Sequence, residues 1–254
     1  MSDRNFDDIA EHFERKVHNS IKGALRRAII KRDLQAIDSE LLPGSTIADL
    51  GAGLGEFSRY YATRGYSVVY NDISTAMFAR ALALCDDECT SICWHHGPYQ
   101  SLLAEYQKSF RLVLCHALLE WLAEPELLLT AISDLLQPRG LLSLCVYNSA
   151  GRDFRNLICG NFNQLDRQYD QLSNPHSLTP SQPPYWPQIE RWLNDAGFAL
   201  VTVSGIRVFS DYATNKRGGL CHPEAVFERE LAYSAVEPFK WLGRYLHVVA
   251  RKIN

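Results

Sequence analysis

Five apolar runs set the frame for this chain: TIADL from residue 46, SVVYNDI from 67, SICWHH from 91, FRLVLCHA from 110 and GLLSLCVYN from 140. Within most of them apolar residues follow one another instead of alternating with polar ones, the habit of strands whose sheet is covered on both faces. Helical patterns lie between: GEFSRYYATRG closed by Gly65, TAMFARALAL behind an N-cap at Ser74, and EPELLLTAISDLLQ ended by Pro138. An earlier helix is expected from Ile21, Ala24, Leu25, Ala28 and Ile29, which fall at i, i+3, i+4, i+7 and i+8. The alternation describes a doubly wound α/β sheet. It is expected as one domain over residues 1–254, with an N-terminal helical extension over 1–42.

After Ser149 the rhythm stops. Residues 149–185 show no apolar period, and SNPHSLTPSQPPYWP carries five prolines, so a cap or irregular insertion is expected after the fifth strand. YWPQIERWLNDAGF and HPEAVFERELAYSA then read as helices, and ALVTVSGIRVFS and GRYLHVVARK as a sixth and a seventh strand.

Charge and cysteine content narrow the function. A net charge of −3 over 254 residues gives no global pull on nucleic acid. Between Arg15 and Arg32, however, seven cations occur without an acid, which makes either a solvated helix face or a local basic surface. Seven cysteines contain no CxxC. Cys85, Cys89 and Cys93 recur every fourth residue but lack a second pair, so no metal is expected, and reduced thiols place the protein in the cytoplasm. The apolar runs stop short of the roughly 18 residues of a membrane span, and the polar start of the chain reads as neither a leader nor an anchor.

The chemistry begins at IADLGAGLGEF, residues 47–57. In open α/β sheets the first strand-to-helix turn cradles ligands, and Asp72, closing the second strand about twenty residues on, is placed to accept hydrogen bonds from a ribose diol. A dinucleotide fold calls for GxGxxG. This turn has GxGxG preceded by Asp49, and it resembles the first motif of the class I S-adenosylmethionine-dependent methyltransferases. That resemblance implies a seven-stranded Rossmann-like sheet with the last strand antiparallel, and S-adenosylmethionine as cofactor.

A narrower resemblance rests on DRNFDDIAEHFERK, KGALR, HALLEW, YN at 147–148, GNF at 160–162, GIRVFSDY and LGRYLHV. Together these are similar to the bacterial tRNA 5-carboxymethoxyuridine methyltransferases. The resemblance implies methyl transfer to the carboxylate of a modified wobble uridine, with the tRNA anticodon loop as partner and no membrane or obligatory protein partner. It also carries the cofactor contacts onto Arg26, Gly51, Ala52, Asp72, Pro98, Tyr99 and His116, which join Asp49 of the first motif as the expected cofactor site, although the family has glycine where this chain has Ala52. A transferase for a small carboxylate or phenol, and a cofactor-binding protein without transfer, remain as alternatives.

A carboxylate with a reference pKa of about 4 is already ionised at neutral pH, so no general base is required. Donors that hold it are sought outside the cofactor motifs, as one arginine with tyrosine or asparagine help. Arg15, Tyr212 and Arg244 are the expected substrate-positioning residues, drawn from a set that also includes Tyr147, Asn161, Arg207, Tyr245 and His247. Tyr185 and Trp186 are candidates to stack on anticodon bases.

Overall fold

The computed structural model describes residues 3–8, 10, 20–85, 89–165, 180, 183–213 and 221–254. The five apolar runs become β1 (Thr46–Leu50), β2 (Ser67–Asp72), β3 (Ile92–His96), β4 (Phe110–His116) and β5 (Leu136–Tyr147). The later chain adds β6 (Phe198–Ile206) and β7 (Tyr245–Lys252). All seven lie in one sheet in the order β3-β2-β1-β4-β5-β7-β6. The first five run parallel, whereas β7 is inserted antiparallel between β5 and β6. The strand order reverses between β1 and β4, and the carboxyl ends of those two strands frame a crevice.

Helices cover both faces. One face carries α1 (Ile21–Gln35) and α2 (Glu56–Ala62), whose Leu25, Ile29, Leu34 and Tyr61 pack against Ile47, Leu112 and Leu114. The other carries α4 (Pro125–Leu135) and α6 (Trp186–Asp195) over Val113, Leu142 and Val248, while α3 (Thr75–Ala83) flanks β2. Each fully buried leucine in these layers is worth about 1.5–3 kcal/mol of hydrophobic stabilisation. Ser74 caps α3 as expected, its hydroxyl accepting from the Met77 N–H at 3.1 Å.

Three local expectations are corrected. The inward face of α1 is Leu25, Ile29, Ile30, Asp33 and Leu34, and Ile21 is 56% exposed. The helix is turned because the buried face includes the polar Asp33, which apolar spacing cannot register. Pro138 does not end a helix but lies inside β5, where the pairing slips from Phe110↔Leu136 to Leu112↔Leu141. Lacking an N–H, it fits the broken part of the ladder. The third correction concerns the start of the expected irregular segment, which is α5 (Ser149–Cys159), with a 3₁₀ turn at Phe162–Gln164 behind it; residues 166–179 lie outside the described set. A last helix, α7 (Pro223–Tyr233), packs on α1.

Candidate cofactor and substrate site

The glycine turn divides the crevice into two lobes. The first is lined by Arg26 from α1, Asp49, Gly51, Ala52 and Gly53 from the turn, Phe57 from α2 and His116 from the end of β4. The second is lined by Gly51, Asp72, Pro98, Tyr99, Leu118 and Trp121, together with Asp3, Arg4 and Phe6. All eight residues expected at the cofactor line one lobe or the other. Gly51 and Gly53 take left-handed backbone with φ of +61° and +56°. A Cβ on Gly51 would stand 3.1 Å from the Leu118 side chain, whereas one on Gly53 would meet nothing within 4 Å. The bare turn therefore has two causes: at Gly51 the protein's own leucine approaches, and at Gly53 the backbone needs the conformation.

Carboxylates organise the turn. Asp72, buried at the end of β2, accepts from the Gly53 N–H at 2.7 Å through one oxygen and from the Ser74 N–H at 2.8 Å through the other. Each oxygen keeps a further lone pair toward the second lobe. Asp49 accepts from the Ser58 hydroxyl at 2.7 Å, and burial pushes its carboxyl up to about 7. Tyr99 is buried beside the second lobe, its phenol raised to about 12 by desolvation.

The first lobe has unpaired polar groups. Arg26 is partly buried, with its guanidinium 5.3 Å from the Tyr245 ring centroid. Burial opposes its charge, and Cys145, Tyr245 and Glu120 more than restore it. Among the described residues no carboxylate forms an ion pair with it. The His116 Nε2 lies 2.8 Å from the Ser143 hydroxyl, but its Nδ1 is buried without a partner. Burial, followed by His247 and Arg26, holds this imidazole well below its ordinary pKa, so the ring is neutral.

Beyond Arg26 the tyrosines and arginines continue. Tyr245 meets Tyr147 edge-on at 5.3 Å, and the Arg244 guanidinium stands 4.9 Å over the Tyr147 ring. The Tyr147 hydroxyl is buried and unpartnered, and no described carboxylate pairs with Arg244. Glu120 sits below this group, one oxygen accepting from the Tyr147 N–H at 3.2 Å and the other unpartnered; burial raises its carboxyl to about 7. Nothing in HALLEW signals that Glu120 will lie under Tyr147.

Several expected substrate contacts are engaged elsewhere. The Tyr212 hydroxyl donates to the carbonyls of Gly151 and Leu242, which fastens its loop to α5 and leaves it no free proton for a substrate. Arg207 pairs with Asp211 at 3.4 Å. His247 is wholly buried between Ser143 and Asp33. Asn161 is exposed behind α5, and Trp186 packs on Trp241 with ring centroids 5.0 Å apart instead of offering a free face. Arg15 lies outside the described residues. The basic stretch is largely neutralised where it is described: Lys22 pairs with Asp211, Arg27 and Lys31 with Glu56, and Arg32 with Asp33.

The donor set in the crevice suits S-adenosylmethionine. A guanidinium without a described acidic partner answers a carboxylate, an orphan imidazole nitrogen answers an ammonium, and a carboxylate in the second lobe answers a sugar diol. The comparisons agree. A methyltransferase-domain family model matches residues 22–203. The tRNA 5-carboxymethoxyuridine methyltransferase of Escherichia coli (strain K12) is 36% identical over 99% of this chain and 97% of its own length. The ubiquinone biosynthesis O-methyltransferase of Psychrobacter cryohalolentis is 25% identical over 74% of this chain and 72% of its own. The crystal structure of an S-adenosylmethionine-dependent methyltransferase from Mesorhizobium loti shares the fold, with a TM-score of 0.56 at 21% identity, covering 92% of this chain and 99% of that one. No helix among the described residues is long and apolar enough to cross a membrane, and no described group of His, Cys, Asp or Glu side chains could hold a metal ion. The chain belongs to the class I S-adenosylmethionine-dependent methyltransferases and, within them, to the family of bacterial tRNA 5-carboxymethoxyuridine methyltransferases.

Proposed function

We propose that this enzyme transfers a methyl group from S-adenosylmethionine to the carboxylate of 5-carboxymethoxyuridine at the wobble position of tRNA, forming the methyl ester. The observation that carries the reading is the 36% identity to the E. coli enzyme over essentially the whole of both chains, additions around the common sheet included. The ubiquinone-pathway relative matches over a shorter span, and specificity resides in the additions more than in the sheet.

When bound, the cofactor supplies an electrophilic methyl group. The chain's residues have three tasks. Arg26, Asp72 and His116 hold the two ends of the cofactor in the two lobes. Arg244 and the Tyr147 hydroxyl, both without an acidic partner among the described residues, receive the substrate carboxylate. Apolar walls from Phe57, Leu118 and Trp121 keep water from a nucleophile that hydration would weaken. An ionised carboxylate gives up no proton, so orientation and desolvation do the catalysis, and the neutral His116 is not required as a base.

The test is mass analysis of nucleosides from tRNA carrying the unesterified wobble uridine, incubated with purified protein and S-adenosylmethionine. One added methyl group on that nucleoside alone is expected. Transfer to a small phenol with none to tRNA would replace this reading with the ubiquinone-like one.

A further inference from the structure

Behind His116 a hydrogen-bonded chain crosses the sheet that neither cofactor nor substrate binding explains. His116 Nε2 meets the Ser143 hydroxyl on β5 at 2.8 Å, and the same hydroxyl meets Nε2 of His247 on β7 at 2.8 Å. Nδ1 of His247 then lies 2.8 Å from Oδ2 of Asp33 on α1. The other Asp33 oxygen accepts from Arg32 at 2.6 and 3.0 Å, and Arg32 also donates to Ser204 and Ser234. Ser143 and His247 are fully buried and Asp33 is 5% exposed. The chain ends at the one imidazole nitrogen of His116 that has no partner.

Donor order along such a chain is not free. Burial raises the Asp33 carboxyl, but the hydrogen bonds and charges of His247 and Arg32 together outweigh it and hold Asp33 below the ordinary carboxylate range, so it only accepts. His247 therefore donates from Nδ1, and in its singly protonated form its Nε2 lone pair accepts the Ser143 proton. The Ser143 oxygen accepts in turn from His116 Nε2–H. What remains at His116 Nδ1 is a lone pair. A buried acceptor left unmet costs about 1–3 kcal/mol, which is a reason for it to be met by whatever fills the first lobe.

We propose that Asp33, His247 and Ser143 form a buried relay that fixes His116 in its Nε2–H tautomer, so that Nδ1 serves as acceptor for the ammonium group of S-adenosylmethionine. The three relay residues are positioning residues, since they act through His116. The inference rests on the cofactor and not on the tRNA substrate, and it stands or falls separately from the proposed acceptor.

Two measurements test it. Long-range 1H–15N spectra of the free, histidine-labelled protein should show His116 protonated at Nε2 and bare at Nδ1. A proton on Nδ1, as a doubly protonated His247 would impose by reversing every donor in the chain, overturns the relay. The second is calorimetric binding of S-adenosylhomocysteine, which keeps the ammonium group, beside 5′-methylthioadenosine, which lacks it. Ser143→Ala should weaken the first about tenfold, the loss of one charge-assisted hydrogen bond, and leave the second unchanged. Ser143→Thr, which keeps the hydroxyl, should restore it. Equal weakening of both ligands, or none, would mean that the chain only supports the fold.

Discussion

Asp49 and Glu120 are the two carboxyls that burial pushes up to about 7, and both stand at the crevice or beneath its extension. The sign of the consequence is fixed. An unfolded chain releases these protons near pH 4 while the folded chain keeps them to about 7, so each group makes stability fall as pH rises through that window. Asp49→Asn removes one such slope. In urea titrations it should leave stability near pH 4 little changed and raise it at pH 8 by an amount on the order of 2–4 kcal/mol. A variant no more stable than the parent at pH 8 would show that Asp49 is already charged in the fold. Residue-scale features separate by range. Asp49, Asp72 and His116 stand where the motif or a strand end places them, whereas Arg26, inside α1, was picked out by the family resemblance alone. The Asp33–His247 contact, 214 residues apart in sequence, had no local sign, nor did the unpartnered hydroxyl of Tyr147.

Elements were legible where burial followed apolar spacing and illegible where it did not. The strands TIADL and SVVYND are apolar enough to be read directly, and the antiparallel β7 was expected from the resemblance to the class I methyltransferases. The helix α5 escaped because its buried positions are Ser149, Gly151 and Asn156, while Leu157 and Ile158 are 52% and 49% exposed. Polar bonding, not an apolar stripe, fastens it. Asn148 is 1% exposed; its amide donates to the carbonyls of Trp241 at 2.9 Å and Gly243 at 2.8 Å, and its oxygen accepts from the Ala150 N–H at 3.2 Å. One side chain thus caps α5 and ties it to the loop entering β7. Asn148→Ala removes all three bonds and strands two carbonyls, so unfolding free energy should drop by roughly 2–4 kcal/mol in urea. A loss near that of a simple surface cap, under about 1 kcal/mol, would show that the loop holds without it.

Across the whole molecule, the same sheet carries two separable tasks. The crevice over β1 and β4 is built from α1, the glycine turn and the β4 end, so a ligand there bridges elements from the first half of the chain. The Tyr147 and Arg244 group belongs to the β5–β7 side, which antiparallel insertion of β7 brings beside Arg26 through Tyr245. Substitution on the two sides should therefore give opposite signatures. A cofactor product at 100 times its Kd stabilises the native state by about 2.7 kcal/mol, enough to raise Tm by roughly 5–10 °C in a chain of this size. Arg26→Ala leaves a bound carboxylate without its cation, costing on the order of 10- to 100-fold in affinity, so roughly half to five-sixths of that shift should vanish. Arg244→Ala should keep the shift and lower esterification of tRNA about 100-fold, because the substrate carboxylate loses its only unpaired cation among the described residues of this group. Thermal scans with S-adenosylhomocysteine and turnover on the modified tRNA separate the two. Loss of the shift in Arg244→Ala would merge the two tasks into one site, and full turnover by that variant would move the carboxylate to another arginine, with Arg15 the next to test.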